Sequence, residues 1–208
     1  MKKSLIFKII TVACAFAMCL GLAACGGGED ESIDLSKNSK VRFTMTSEGK
    51  PLGEFVVELY PEYAPITVEN FLKLVDEGFY NGVGFHRIYE GFMAQGGDPD
   101  GDGVSNGTEE TIKGEFALNG VENKLSHTRG VISMARTNDY NSASTQFFIC
   151  YSDDYASTLD GSYAAFGKVI EGMEVVDSFL DIERDYNGER LPTKPVKDIT
   201  MEKVEIVE

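Results

Sequence analysis

The 208-residue chain contains no tryptophan, only two histidines and four cysteines. Neither His86 nor His127 has a neighbour at metal-ligand spacing, so structural roles are favoured over a zinc site. Three of the cysteines lie within the first 25 residues, which leaves Cys150 alone in the body of the chain and excludes an intrachain disulfide there. Cys150 ends the apolar run FFIC, and we interpret it as a buried small hydrophobic residue.

Positive charge is also scarce. The chain has 19 lysines and arginines against 34 aspartates and glutamates, for a net charge of −15 at pH 7. A surface of this sign repels phosphate backbones and anionic lipid headgroups. This argues against nucleic acid as a partner and against electrostatic attachment to a membrane, and we interpret the acidity as a contribution to solubility.

An uncharged apolar run stands near the start of the chain. It covers residues 9–22 and follows the basic residues Lys2, Lys3 and Lys8, which is typical of an export signal. It is too short to span a hydrocarbon core, which needs about 20 residues. The run ends in Leu-Ala-Ala-Cys, similar to the cleavage box of bacterial lipoproteins, in which the cysteine, here Cys25, is acylated. An ordinary signal peptide or an uncleaved helix is the alternative.

A polar, glycine-led segment follows Cys25 and reads GGGEDESIDLSKNSK. It has too few large apolar side chains to fold, so it predicts a flexible tether. The predicted organisation is a signal peptide over 1–24, a lipidated cysteine and tether over 25–40, and one domain over 41–208. Two acyl chains on one cysteine anchor a protein stably. The predicted location is therefore extracytoplasmic, with the chain lipid-anchored to the bacterial cell membrane.

The body of the chain has the pattern of many short strands. Apolar residues alternate over 55–59 and again over 131–135, which predicts strands with one buried face. Clusters of Gly, Asn and Asp separate such runs. Many short strands with few helices favour a closed β architecture, because closure removes the sheet edges.

Two segments have helical spacing instead, residues 64–77 and about 172–180. In the first, Thr67 is suited to cap the N-terminus of the helix. Gly78 stands where a C-terminal cap is expected.

Two segments about fifty residues apart together have the composition of a peptide-binding pocket with one fixed charge. Residues 85–98 are FHRIYEGFMAQGGD and residues 142–150 are SASTQFFIC, which supplies one arginine, two glutamines and several large apolar side chains. This pair resembles the signature of the cyclophilin family of peptidyl-prolyl cis/trans isomerases. The likeness extends from about Val41 to the C-terminus, in order through GEFVVELYPEYAPITVENF, HTRGVISMAR and LDGSYAAFGKVIEGMEVV.

The resemblance implies a mainly β fold, a closed eight-stranded antiparallel barrel capped by two helices. It also implies an activity, the isomerisation of X-Pro bonds. Such a bond rotates over a barrier of about 20 kcal/mol because amide resonance must be broken, yet no covalent step is required. A catalyst needs an apolar slot for the proline ring and a donor for the nitrogen as the amide twists. No cofactor and no metal are expected.

The resemblance also assigns roles to individual residues. The catalytic positions are Arg87 as the donor, Gln95 as its support and Phe92 as a wall of the proline slot. Arginine remains charged at neutral pH and presents a planar fork of donors, which suits it to this role. The expected substrate-binding residues are His86, Met93, Ala135, Arg136, Gln146, Phe147, Leu159 and Tyr163.

Three positions depart from the best-known cyclophilins. Arg136 stands where many members have asparagine, and Tyr163 stands where many have histidine, although a tyrosine still walls the slot and donates a hydrogen bond. Thr158 falls near the place of a tryptophan that the forms most sensitive to cyclosporin carry. These departures predict weak binding of the drug and leave the isomerase chemistry in place.

The loop after the first signature segment matches two unrelated motifs. Residues 103–107 fit the G-x-S-x-G pattern of hydrolases, but a glycine-rich loop replaces the required strand, turn and helix. Residues 98–109 fit the calcium-loop pattern D-x-D-x-D-G-x₅-E. No amphipathic helices flank that loop, and Ser105 replaces the usual aliphatic residue. A solvated turn is therefore favoured.

The predicted function is an isomerase that acts on proline-containing segments of exported or surface polypeptides. Its expected partners are those polypeptides and the membrane, which it reaches through lipid on Cys25, and the chain is expected to be a monomer. One alternative is a peptide-binding chaperone or scaffold with incidental turnover. The other is a calcium-controlled binding module.

Overall fold

The computed structural model describes residues 33–104 and 109–207. Its strands are β1 Ser39–Ser47, β2 Lys50–Leu59, β3 Gly84–Tyr89, β4 Met93–Asp98, β5 Val131–Met134, β6 Phe147–Cys150, β7 Ala165–Glu171, β8 Arg184–Asp185, β9 Lys194–Pro195 and β10 Ile199–Val207. Eight of them close into an antiparallel barrel in the order β1-β10-β3-β4-β6-β5-β7-β2, and β8 pairs with β9 in a separate two-stranded sheet. The predicted barrel is confirmed.

The helices are α1 Pro65–Asp76, α2 Ala156–Leu159 and α3 Met173–Ser178. The two predicted helical segments correspond to α1 and α3, and a 3₁₀ turn over Phe179–Asp181 continues α3. Within the described ranges, no helix has the length and apolar character needed to cross a membrane.

The core lies inside the barrel. Along β2, Phe55, Val57 and Leu59 are fully buried, as their alternation predicts. Phe43 of β1 stacks on Phe55 with ring centroids 4.5 Å apart, and the apolar face of α1 brings Phe71 into the same cluster. Burying a side chain of this size stabilises the fold by about 1.5–3 kcal/mol. Packing against the barrel therefore holds α1 in place.

Strand β5 differs from the prediction of a single buried face, because all four of its residues are buried. Ile132 and Met134 belong to the barrel core. On the opposite face, the buried ring of His127 lies over the strand, with Nε2 2.9 Å from Ser133 Oγ. The chain that precedes β5 thus buries the face of Val131 and Ser133, the predicted buried face, while Ile132 and Met134 bury the other face in the barrel core.

The N-terminus of α1 is capped by a residue distant in sequence, and the prediction of a Thr67 cap is wrong. The N-cap position is Ala64, which makes no side-chain capping bond. The buried carboxylate of Glu115 accepts the backbone N–H groups of Ile66 and Thr67 at 3.0 and 2.8 Å, and the Thr67 hydroxyl at 2.7 Å. At the other end of the helix, Gly78 has the expected left-handed conformation with φ 69°.

The boundary of the predicted tether also shifts. Strand β1 begins at Ser39, and Ile33 and Leu35 are partly buried against the barrel core. Residues 33–40 are therefore part of the folded unit, because two apolar side chains spaced two residues apart dock on it. The predicted signal, Cys25 and the first part of the tether lie outside the described residues.

We predict that Glu115→Ala lowers the free energy of unfolding by about 3 kcal/mol, because it leaves two buried backbone N–H groups and a hydroxyl without their acceptor. Urea denaturation monitored by circular dichroism measures the change. Glu122→Ala is the matched control, since Glu122 makes only an exposed ion pair with Lys124. Equal stability of the two variants would show that the cap contributes little.

Candidate active site

The pairing of β3 with β4 places the two predicted polar residues side by side. Arg87 is directly opposite Gln95 in the register, so both side chains project from the same face of the sheet. Arg87 Nη1 lies 3.5 Å from Gln95 Oε1, and Gln95 Nε2 donates to Gln146 Oε1 at 2.9 Å. The guanidinium group therefore has a polar support that is itself held by a second glutamine.

A cavity of about 300 Å³ is lined by this polar pair on one side and by apolar side chains on the other. Its floor is a hydrophobic cluster distinct from the barrel core, built on Met93, Phe148, Cys150 and Leu159. Eight of the eleven predicted catalytic and substrate-binding residues line the cavity together with Phe148, namely Arg87, Phe92, Met93, Gln95, Ala135, Arg136, Leu159 and Tyr163. The fold thus brings together residues that span more than seventy positions of the sequence.

The assignment of Phe147 to the substrate site is wrong. Successive side chains of a strand point to opposite faces, and in β6 Phe147 points into the barrel core. It is fully buried, and its ring centroid lies 5.6 Å from that of Phe71. The next residue, Phe148, lines the cavity instead.

His86 and Gln146, both predicted to bind substrate, lie beside the cavity rather than in its wall. His86 lines a separate hollow of about 200 Å³ with Asp98 and Lys194, and burial lowers the pKa of its imidazole. Gln146 lines a smaller hollow of about 90 Å³, which shares Gln95 with the main cavity. Gln146 therefore stays connected to the site through its hydrogen bond to Gln95.

Arg136 braces one wall of the cavity. Its guanidinium carbon lies 4.6 Å from the ring centroid of Tyr163 and 5.0 Å from those of Phe116 and Tyr140. Nε and Nη2 both donate to the Ser162 carbonyl, at 3.0 and 2.8 Å. Cation–π contacts of this kind hold aromatic rings in place. Arg136 and Tyr163, two of the positions that depart from the resembled family, therefore contact each other in one wall of the cavity.

Comparison with known families decides what this arrangement is. The profile of the family described as cyclophilin type peptidyl-prolyl cis-trans isomerase matches residues 41–206. The chain belongs to this family.

Individual relatives agree with the family assignment. A peptidyl-prolyl cis-trans isomerase of Acinetobacter baylyi is 40% identical over 164 residues, which cover 76% of this chain and 85% of the relative. Peptidyl-prolyl cis-trans isomerase B of Escherichia coli is 38% identical, over 75% of this chain and 95% of the relative. This cyclophilin is therefore a peptidyl-prolyl cis-trans isomerase.

Solved structures share the fold. The crystal structure of a cyclophilin type peptidyl-prolyl cis-trans isomerase of Cryptosporidium parvum aligns with a TM-score of 0.69 and 28% identity, over 83% of this chain and 99% of that one. A second structure of the same protein, in the presence of the dipeptide Ala-Pro, aligns with a TM-score of 0.67 and 29% identity.

Two residues of this cyclophilin contact the site without an evident signal in the sequence. Tyr155, three residues before Thr158, packs against Phe92 with ring centroids 4.3 Å apart and the ring planes tilted by 36°. Glu189 forms two charge-assisted hydrogen bonds with Arg87, although 102 residues separate them. An aromatic residue in the segment between β6 and α2 is a faint signal for Tyr155. No local pattern identifies Glu189, because it reaches Arg87 through the β8–β9 connection, which is hydrogen-bonded to β3.

The loop with the calcium pattern uses its first aspartate internally. The Asp98 carboxylate is buried and accepts the backbone N–H groups of Asp100 and Gly103, at 3.4 and 2.7 Å. Within the part of the chain that the structure describes, no group of three or more His, Cys, Asp or Glu side chains is arranged to hold a metal ion. Residues 105–108, which include Ser105 of the G-x-S-x-G pattern, lie outside the described residues.

A hydrogen-bond chain connects the buried residues Ser133 and His127 to the exposed Asp160. His127 Nδ1 lies 2.8 Å from Asp160 Oδ1, and Nε2 lies 2.9 Å from Ser133 Oγ. The order matches the Ser-His-Asp chain of hydrolases, but Ser133 is fully buried, so no substrate carbonyl reaches its hydroxyl. The nearby Cys150 is buried as predicted, and burial raises the pKa of its thiol to about 12, so it is unreactive.

We predict that stability falls as the pH is lowered from 7.5 to 5.5. Burial lowers the pKa of His127 and of His86 below the ordinary value of 6.5. The unfolded chain therefore binds more protons than the folded chain below pH 6.5, and stability decreases as the pH falls through that range. Urea unfolding at a series of pH values measures this dependence.

The control for this prediction is His127→Gln, which keeps a donor and an acceptor but does not titrate. Its stability should vary less with pH over the same range. An identical slope in both proteins would show that His127 does not carry the effect.

Proposed function

We propose that this cyclophilin accelerates X-Pro rotation by non-covalent stabilisation of the twisted amide, with Arg87 as the catalytic residue. The observation that carries the proposal is the position of a permanently charged donor in the wall of a cavity of about 300 Å³ whose other walls include Phe92, Met93 and Leu159. This volume is at the lower end of the range for ligand pockets. A small ring in such a cavity would present its amide nitrogen to the guanidinium group.

The proposed mechanism assigns binding and rate acceleration to different groups. Phe92, Met93 and Leu159 hold the proline ring in the slot and exclude water from the amide. As the C–N bond rotates, the nitrogen regains its lone pair and accepts a hydrogen bond from Arg87. Because the planar amide lacks that acceptor, the bond stabilises the transition state more than the ground state, which accelerates the reaction. Gln95 limits the movement of the donor.

The proposed substrates are proline-containing segments of exported or surface polypeptides. The solved cyclophilin structure with Ala-Pro supports a proline dipeptide unit as the element recognised. The apolar run and the Leu-Ala-Ala-Cys box support export and acylation of Cys25. The acidic composition supports a chain that reaches the membrane by lipid rather than by surface charge.

We predict that Arg87→Ala lowers kcat/KM by about 10²- to 10³-fold, the usual cost of one preorganised donor in a transition state. The melting temperature should change little, because the Arg87 side chain is partly exposed and contributes more to catalysis than to packing. Exchange between cis and trans Ala-Pro peptide, measured beside a thermal melting curve, tests both statements.

Two further variants make the result specific. Arg42→Ala removes an arginine of β1 whose ion-pair partners, Glu54 and Glu205, lie on β2 and β10, and it should leave turnover at the parent level. Phe92→Ala empties part of the slot and should raise KM more than it lowers kcat. Near-parent turnover by a normally folded Arg87→Ala would refute the catalytic assignment and favour a peptide-binding scaffold.

We predict that Cys25→Ser releases the protein from the membrane, because the proposed anchor depends on a single thiol. Cell fractionation, together with mass spectrometry of the N-terminal peptide, measures both location and acylation. Cys19→Ser is the matched control and should remain anchored, since Cys19 lies inside the predicted signal. A Cys25→Ser protein that is equally processed and equally membrane-bound would exclude the lipoprotein assignment.

A further inference from the structure

The catalytic arginine of this chain is half of a two-point ion pair. Arg87 Nε donates to Glu189 Oε1 at 2.5 Å and Nη2 donates to Oε2 at 3.1 Å. About one quarter of each side chain is exposed, 26% for Arg87 and 27% for Glu189. Two parallel hydrogen bonds of this kind fix the plane of a guanidinium group in addition to pairing its charge.

Glu189 is carried by a loop that is attached to the strand of Arg87. It lies in the connection between β8 and β9, which pair with each other. The Thr193 N–H donates to the Asp185 carbonyl at 3.0 Å, and the Ile88 N–H donates to the Thr193 carbonyl at 2.7 Å. Because Ile88 follows Arg87 in β3 and Thr193 is fully buried, the loop has a fixed position relative to the arginine.

The ion pair occupies one edge of the guanidinium group and leaves Nη1 outside it. Glu189 binds the edge formed by Nε and Nη2. Among the described residues, the hydrogen-bonding contacts of Nη1 are long, 3.5 Å to Gln95 Oε1 and 3.8 Å to Met93 Sδ, and both of these partners line the cavity. The donor that faces the slot is therefore the one that Glu189 does not occupy.

We infer that Glu189 is a positioning residue for the isomerisation, which clamps Arg87 so that Nη1 points at the twisting amide. An arginine side chain loses substantial rotamer freedom when it is held in one orientation. With Glu189 in place, that loss occurs when the protein folds and not in the transition state, which lowers the barrier. The inference depends on the proposed catalytic role of Arg87.

The test compares Glu189→Gln and Glu189→Ala with the parent as purified full-length chains. We expect kcat to fall about tenfold, less than for Arg87→Ala, because the donor is retained but misdirected. KM should stay close to the parent value, since the walls of the slot are intact. Glu90→Gln is the matched control. Glu90 pairs at 3.5 Å with Arg184, which belongs to the same β8–β9 hairpin as Glu189, and loss of that ion pair should leave kcat unchanged.

A double-mutant cycle separates positioning from a structural role. If Glu189 acts only through Arg87, adding Glu189→Gln to Arg87→Ala should lower activity no further, and the melting temperatures should agree. A further loss in the double variant, or unchanged or increased kcat in Glu189→Gln, would overturn the inference. Increased kcat would mean that Glu189 competes with substrate for the arginine.

A spectroscopic measurement distinguishes failure of this inference from failure of the proposed function. The side-chain Nε–H resonance of Arg87, identified by its absence in Arg87→Ala, should shift or broaden in Glu189→Gln and stay in place in Glu90→Gln. An unmoved resonance in Glu189→Gln would refute the clamp itself. A moved resonance with full activity in Arg87→Ala would instead refute the catalytic role of Arg87.

Discussion

The two-residue period of the β-strands is the constraint on which the rest of this structure depends. In β6, Phe147 and Ile149 point into the barrel, whereas Phe148 and Cys150 point to the opposite side. The same four residues therefore supply both the core of the fold and the floor of the substrate cavity. The part of the slot built on strands, which includes Met93, Gln95 and Phe148, cannot move without disturbing strand pairing. Rigid walls suit an enzyme whose task is to favour one geometry of a single bond.

A line of polar groups crosses this rigid surface. It runs from Glu189 through Arg87 and Gln95 to Gln146, and each member bonds or closely approaches the next. Strand register determines the position of Gln95, whereas the β8–β9 hairpin determines that of Glu189. The arginine is thus held from two sides by elements that are independent of each other. In a chain with net charge −15, this arrangement also pairs a positive group of the cavity with a nearby carboxylate.

Aromatic residues compensate for the absence of tryptophan. Tyr155 packs against Phe92 at one side of the cavity, and Arg136 contacts the ring of Tyr163 at another. Aromatic rings have few rotatable bonds, so walls made from them lose little entropy when substrate binds. The slot of this cyclophilin is therefore bounded by rings, as an apolar ring-binding site requires, although the residues differ from those of the best-known members.

The sequence by itself determined the barrel, the positions of α1 and α3, and eight of the residues that line the cavity. Hydrophobic period predicted the strands and the two helices, because it is a local property of the chain. The eight-stranded barrel and the cavity residues followed from the resemblance of its motifs to those of cyclophilins. It did not determine which of two adjacent phenylalanines, Phe147 or Phe148, faces the slot, since that depends on the strand register.

Other assignments were decided by tertiary structure alone. Glu115 caps α1 in place of Thr67, and Glu189 reaches Arg87, because both contacts join segments 48 or more residues apart. Long-range pairs of this kind leave no periodic trace in the sequence. The sequence around a charged side chain is the same whether that side chain is solvated or paired. Only the tertiary structure brings its partner within hydrogen-bonding distance.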